Sequence, residues 1–310
     1  MNRSVRYSAF ALAASVAWAL VGVACRPANV TQPANPASAN SAASSTNRQT
    51  YEVKGVVKEV MPERKKTKIA HEEIPGYMEA MTMLLDVKDA AELKDLQPGD
   101  NIMFRMVVLE DDGWIENIRK LDGPRTPLPA DPPLRRAAIV EALGVGDAVP
   151  EYAFTNMLGQ VVKLSELKGR AVGFTFIFTR CPFPTFCPRL NTSFQQAHDK
   201  LKALTSGVTN WTLLSITMDP EYDTVSRLKD YAQRYNPDTN HWQFVTGDLT
   251  DITAIGEQFG LQFWRPKPND PINHNVRTVV IDAKGRVQWI SNDNEFKSDD
   301  LVDQMVKAAR

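Results

Sequence analysis

Cys181-Pro-Phe-Pro-Thr-Phe-Cys187-Pro sets two thiols six residues apart on a turn stiffened by prolines. Thiolates are soft donors, so such a pair can cycle between dithiol and disulfide or hold a soft metal ion. The chain has 3 cysteines, and the third, Cys25, follows a hydrophobic N-terminal stretch. Chemistry at Cys181 and Cys187 is therefore chemistry between those two. A loop crowded with prolines is a poor place for an ordinary core cysteine, which leaves a purely structural disulfide as the plain alternative. A second set of soft donors is His71, Met81 and Met83. On a strand, Met81 and Met83 face the same way because side chains alternate with period 2. His71, at the end of an earlier strand, can lie across from them. Two thioethers and an imidazole suit Cu(I) better than a hard cation. Spacing alone equally allows both methionines to fill a small core, with His71 on a solvated strand end.

The elements that must position these residues fall into two groups. Between Tyr51 and Leu121 the pattern predicts five strands with tight turns: 51–60, 67–71, 81–87, 101–109 and 114–121. Five strands in so short a stretch predict a small all-β barrel of the OB type over residues 50–122. Residues 123–144 are proline-rich and read as a semi-stiff linker, whose twenty or so residues reach roughly 70 Å when extended. From 145 to 310 the pattern becomes α/β. Strands are expected at 161–163, 171–179 and 211–217, and a hairpin over 277–282 and 287–291. Helices are expected at 189–204, 224–235 (with Asp223 as N-cap), 251–259 and 298–309. That order, with an almost wholly apolar strand at 171–179, predicts a thioredoxin-like fold. Cys187 precedes Pro188, which places it near the N-cap of the first helix, where free N–H groups and the helix dipole favour a thiolate. His274 opens the region before the hairpin. It reads either as a third donor near that helix end or as a residue that caps a strand. His198 reads as a helix-surface residue and His241 as a strand start.

At 310 residues the chain has room for two domains, and 43% hydrophobic with 24% charged residues describes a globular protein. A net charge of −1 gives no electrostatic reason to expect nucleic acid as partner. Residues 1–25 read as an export signal: Arg3 and Arg6 precede the uncharged stretch 7–24, which ends at Cys25. Cleavage with lipidation at Cys25, simple cleavage and an uncleaved anchor all fit. Residues 26–49 carry almost no bulky apolar side chain and read as a disordered tether of roughly 25–30 Å reach. The expected location is the periplasmic side of the cell membrane, N-terminally anchored or lipidated, with a soluble periplasmic protein as the alternative.

Two resemblances sharpen this reading. Ile69-Ala70-His71-Glu72-Glu73-Ile74-Pro75 with Ala80-Met81-Thr82-Met83 resembles the copper- and silver-binding periplasmic proteins of the CusF type. That likeness implies His71, Met81 and Met83 as Cu(I) ligands. The family has a Trp cap three residues before the first Met; Met78 stands there instead, as an alternative cap, with Tyr77 beside it. Phe176-Ile177-Phe178-Thr179-Arg180-Cys181-Pro182, Cys187-Pro188, Met218-Asp219-Pro220-Glu221, Asp223-Thr224 and His274 resemble the Sco/SenC family. That likeness implies copper ligation by Cys181, Cys187 and His274, with Asp219 supporting the site. Its cargo would be Cu(I), with Cu(II) also compatible. It also implies a metallochaperone, not an enzyme, that helps to assemble the binuclear copper centre of cytochrome c oxidase. The partners would be the copper-acceptor subunit, the membrane and a thioredoxin-like reductant. One departure stands out: the family usually has three residues between its cysteines, and this chain has five.

The alternatives are thiol–disulfide oxidoreduction on a copper acceptor, peroxidase chemistry, and passive copper sequestration. A reductase normally has two residues between its cysteines. A thiol peroxidase needs Thr three residues before its cysteine, where this chain has Phe178 and Pro184.

Overall fold

The computed structural model describes residues 48–110, 112–127, 140–204, 207–265 and 272–310. The signal, Cys25, nearly all of the tether and the middle of the linker lie outside them. The described residues belong to one compact unit, Ser45–Arg310, built around two sheets.

The first sheet contains β1 (Gln49–Met61), β2 (Lys66–His71), β3 (Met81–Asp86), β4 (Asn101–Val108) and β5 (Gly113–Lys120), in the order β3-β2-β1-β4-β5. All four pairings are antiparallel, and the alternation of each strand turns one face inward. Val53, Val57, Ile69, Leu85, Ile102, Phe104 and Ile115 fill that interior. The expected barrel is not fully closed. Its edge strands meet through one parallel bridge, Val87 to Ile115, instead of a ladder. The start of the expected linker is strapped back onto this sheet, with Arg125 Nε 2.8 Å from Asp100 Oδ1 and Thr126 N donating to Gly99 O at 2.9 Å.

The second sheet follows with β6 (Ala153–Asn156), β7 (Val161–Lys163), β8 (Ala171–Ile177), α1 (Cys187–Ala203), β9 (Trp211–Thr217), α2 (Val225–Ala232), β10 (Trp242–Thr246) and α3 (Leu249–Gln258). A two-residue pair, β11 (Phe263–Trp264) and β12 (Asn273–His274), precedes the hairpin β13 (Thr278–Ile281) and β14 (Val287–Ser291), and α4 (Ser298–Ala308) closes the chain. The order is β14-β13-β8-β9-β10-β6-β7, with β8, β9 and β10 parallel at the centre. Every residue of β8 and β9 is buried, as a strand covered on both faces requires. This is the thioredoxin-like arrangement expected. α1 buries Cys187, Leu190, Asn191, Phe194, Ala197, His198 and Leu201, one stripe at helical spacing.

Two local expectations change. Thr224, not Asp223, caps α2, its hydroxyl accepting from Arg227 N. Asp223 turns inward instead, because the strand end beside it needs acceptors. His198 is not a surface residue: it is buried between Trp211 and Trp242, and its Nε2 accepts from Asp238 N at 3.3 Å.

Candidate metal centre

On the β-sheet side, pairing of β2 with β3 sets His71 directly opposite Met81 and Ile69 opposite Met83. Period-2 alternation then puts His71, Met81 and Met83 on one face, with directly paired Cβ atoms about 4.5–5.5 Å apart. His71 is only 4% exposed. Its Nδ1 lies 2.7 Å from Glu72 O, and a carbonyl oxygen can only accept, so Nδ1 carries the proton. Nε2 is therefore left with a lone pair, and that atom is buried with no hydrogen-bond partner. Burial lowers the His71 pKa, which keeps the ring neutral near pH 7. A buried, unpartnered imidazole nitrogen facing two thioethers is a costly arrangement unless something binds it. A soft cation fits that donor set.

Met78 does not sit there. It packs in the interior of the β-sheet with Ile74, to which it is also bridged, and it is not among the residues that line the cavity next to Met81. The tight turn between β2 and β3 folds its side chain inward, so the expected cap is a core residue. Tyr77 stacks on Tyr51, ring centroids 4.6 Å apart, and its hydroxyl donates to Pro182 O at 3.0 Å.

On the α/β side, the turn after β8 is fixed by Asp223. Its carboxylate accepts from Thr179 N at 3.0 Å, from the Thr179 hydroxyl and from Thr217 Oγ1. Burial pushes the Asp223 carboxyl up, against those hydrogen bonds. Asp219, also buried, holds Arg180 Nε at 2.8 Å and pairs with Arg265, so it steers the residue just before Cys181 without lining the cavity. Asp223 is the positioning residue that the sequence reading missed. Its signal was the second Asp of Asp219-Pro-Glu-Tyr-Asp223, read there as a helix cap.

The two thiols are adjacent and unequal. Cys187 is 0% exposed and is the first residue of α1, which begins two residues earlier than expected. Burial raises its pKa well above the ordinary thiol value, and its hydrogen bond to Cys181 raises it further. The same bond, from the Cys187 thiol, lowers the pKa of the half-buried Cys181. Of the two, Cys181 is therefore the thiol that ionises more readily. A helix end contributes only about 0.3–1 kcal/mol, too little to offset full loss of hydration.

His274 sits on β12 with its ring edge-on to Phe178, centroids 5.6 Å apart. Its Nδ1 donates to Asn275 O at 2.7 Å, so Nε2 again keeps the lone pair, and burial lowers its pKa. His71, Met81, Met83, Cys181 and His274 all line one cavity of about 1110 Å³. Cys187 lies behind Cys181 and does not line it. Among the described residues, no three His, Cys, Asp or Glu side chains already converge on a point. Ligation by both cysteines and His274 therefore requires the side chains to close together.

Residues 141–310 match the family model described as SCO1/SenC, more than half of the chain. The chain belongs to the SCO1/SenC family. Residues 50–120, ahead of the SCO1/SenC domain, match the model described as copper binding periplasmic protein CusF. The SCO1 protein homolog of Bacillus subtilis is 30% identical over 167 residues, covering 52% of this chain and 82% of that protein. The solved structure of BsSco, described as a member of the Sco family of cytochrome c oxidase assembly proteins, is 27% identical. It covers 55% of this chain and 97% of that one, with a TM-score of 0.46. The Arabidopsis thaliana ScoI structure, solved with copper bound, is 20% identical with a TM-score of 0.45, covering 53% of this chain and 98% of that one.

Proposed function

We propose that this protein carries Cu(I) as cargo at Cys181, Cys187 and His274 and delivers it to the binuclear copper centre of cytochrome c oxidase. His71, Met81 and Met83 form a second Cu(I) site. One observation carries the reading: two histidines, each with Nδ1 tied to the next carbonyl and Nε2 left free, face one cavity that sulfur donors line. Fixing the tautomer through the other ring nitrogen is how proteins prepare an imidazole for a metal. Membership of the SCO1/SenC family and the CusF match support copper as the cargo and the periplasmic side as the location. Attachment to the membrane through residues 1–25 belongs to the proposal. Among the described residues no helix is long and apolar enough to cross a membrane.

The acid–base asymmetry of the cysteine pair favours a second reading, thiol–disulfide exchange with the cysteines of a copper acceptor. Cys181 would attack and Cys187 resolve, with a thioredoxin-like reductant restoring the pair.

Anaerobic Cu(I) titration of the full, reduced chain against a competing chelator separates the two. The expected result is two bound coppers: the tighter lost in Cys181→Ser and weakened in His274→Ala, the weaker lost in Met81→Leu/Met83→Leu. No tight copper in the unaltered chain would overturn the carrier reading and leave thiol–disulfide exchange in its place.

A further inference from the structure

The five-residue spacing between the cysteines has a structural counterpart. Phe183, inside that loop, is 0% exposed, yet it belongs to the core of the β-sheet domain and not to that of the domain that carries it. Phe186 packs beside it, ring centroids 5.8 Å apart. The host domain leaves room for this plug at Gly113, where a Cβ would stand 2.9 Å from Phe183 Cζ. Further contacts fix the same docking. Tyr77 Oη donates to Pro182 O at 3.0 Å, and Arg189 Nη2 lies 3.0 Å from Asp112 Oδ1. The buried Lys66 bridges Asp86 at 2.7 Å and Glu295 at 2.9 Å. Nearest the donors, Thr82 N, between Met81 and Met83, donates to Oδ1 of Asn273, the residue before His274, at 3.2 Å.

We propose that copper passes within one chain from His71, Met81 and Met83 to Cys181, Cys187 and His274 through the cavity that all of these but Cys187 line, and that the widened cysteine loop is the plug that docks the two sites. The inference rests on the copper-carrier reading above. Cu(I) stays Cu(I): bonds from copper to Met81 Sδ, Met83 Sδ and His71 Nε2 break as bonds to Cys181 Sγ, Cys187 Sγ and His274 Nε2 form. Each thiol gives up its proton to water as its sulfur binds copper, and no electron moves. The direction is downhill because anionic thiolates hold Cu(I) more tightly than neutral thioethers do. Short tethers give effective concentrations on the order of mM, so a docked site outcompetes transfer between separate molecules at ordinary protein concentrations.

The test uses the full chain carrying Cys25→Ser, with Cys181 and Cys187 oxidised to a disulfide, so that one equivalent of Cu(I), added anaerobically, is left with the His71 site as its soft-donor set. A water-soluble phosphine then reduces the disulfide to two thiols, taking oxygen from water to become phosphine oxide while that water's two protons go to the sulfurs. Rapid-freeze X-ray absorption follows the change from thioether and imidazole to thiolate ligation. The expected result is first-order transfer at a rate unchanged by serial dilution. A rate that falls with dilution overturns the proposal. So does copper that stays on the thioethers while the reduced pair binds copper added later, an outcome that leaves the carrier reading intact. A reduced pair that takes copper from no source overturns both.

Phe183→Ala should slow transfer roughly tenfold and make it concentration-dependent. Because that variant also opens a gap in the β-sheet core, Tyr77→Phe serves beside it. Loss of one hydrogen bond should slow transfer roughly two- to tenfold. Unchanged rates in both would overturn the role of the loop.

Discussion

The two donor sets solve the same problem with different materials. In the β-sheet domain the ligand geometry is set by strand register: His71 faces Met81 because β2 pairs with β3, and nothing has to move for the three side chains to share a face. In the α/β domain the donors come from a loop, a helix start and a two-residue strand. They are held by outer contacts such as Asp223 to Thr179 and Asp219 to Arg180. Neutral thioethers cannot titrate, so in the first donor set only His71 carries a proton equilibrium, and burial biases it toward the neutral ring. The thiols must lose protons, and Cys187 resists because it is buried. On the copper-carrier reading proposed above, a rigid thioether set beside an adaptable thiol set is suited to receiving a metal at one and retaining it at the other.

The largest effect expected from breaking this comparison is at the thiols. Cys181→Ser should remove tight Cu(I) binding, a loss exceeding the ~10–100-fold typical when only an outer-shell partner is changed. Chelator competition on the full chain reads it, and the thioether site should be untouched. Phe183→Ala comes next. Removing a fully buried ring should cost about 3–5 kcal/mol, measured by denaturant unfolding, with the β-sheet domain affected although the residue lies in the α/β domain's sequence.

Asp219→Ala sharpens the comparison from the other side. It leaves Arg180 and Arg265 without their shared carboxylate, and loss of a buried ion-pair partner costs on the order of 3–5 kcal/mol, less here because Arg180 is 32% exposed. Thermal unfolding should show the loss, and copper affinity at the cysteines should fall ~10–100-fold while the His71 site keeps its own. Met78→Leu should do little. A volume-conserving core change costs under ~1.5 kcal/mol. Copper affinity equal to that of the unaltered chain, by the same competition assay, would confirm Met78 as packing; a clear drop would restore it as a cap.

These contrasts also explain what the sequence could tell. Strands β2 and β3 were legible because Thr67, Ile69 and His71 alternate and the Pro75-Gly76 turn fixes where the chain returns. β8 and β9 were legible because their apolar runs admit no other placement. The short strand Ala153–Asn156 went unread because it is brief and carries polar residues at positions that pair only after folding, whereas the strand Trp242–Thr246 was read only by its start at His241. Cys187 was placed within one residue, but whether burial or the helix dipole governs a thiol is decided by neighbours from elsewhere in the chain. Phe183 is the clearest case. Its spacing anomaly was visible, but no local pattern says which distant core a loop aromatic will enter.

The smallest expected effect lies at the seam between the two regions. Glu295 accepts from Lys66 and Arg64, at 2.9 Å and 3.1 Å. Burial raises its pKa, but hydrogen bonds from Lys66 and then Arg64 outweigh that and bring it below the ordinary 4.5. A carboxylate with a depressed folded-state pKa stabilises the folded form above its unfolded value and loses that contribution as pH falls through the folded one. The Glu295 contribution should therefore be full above about pH 4.5 and vanish as the solution is acidified further. Because Glu295 is 39% exposed, solvent screening limits the pairs to about 0–1 kcal/mol. Glu295→Gln should unfold at a slightly lower temperature than the unaltered chain at neutral pH, and the two should converge in acid. A gap that persisted unchanged below that range would mean the side chain acts by packing alone. A gap that widened would mean that Glu295 holds the seam through its neutral form.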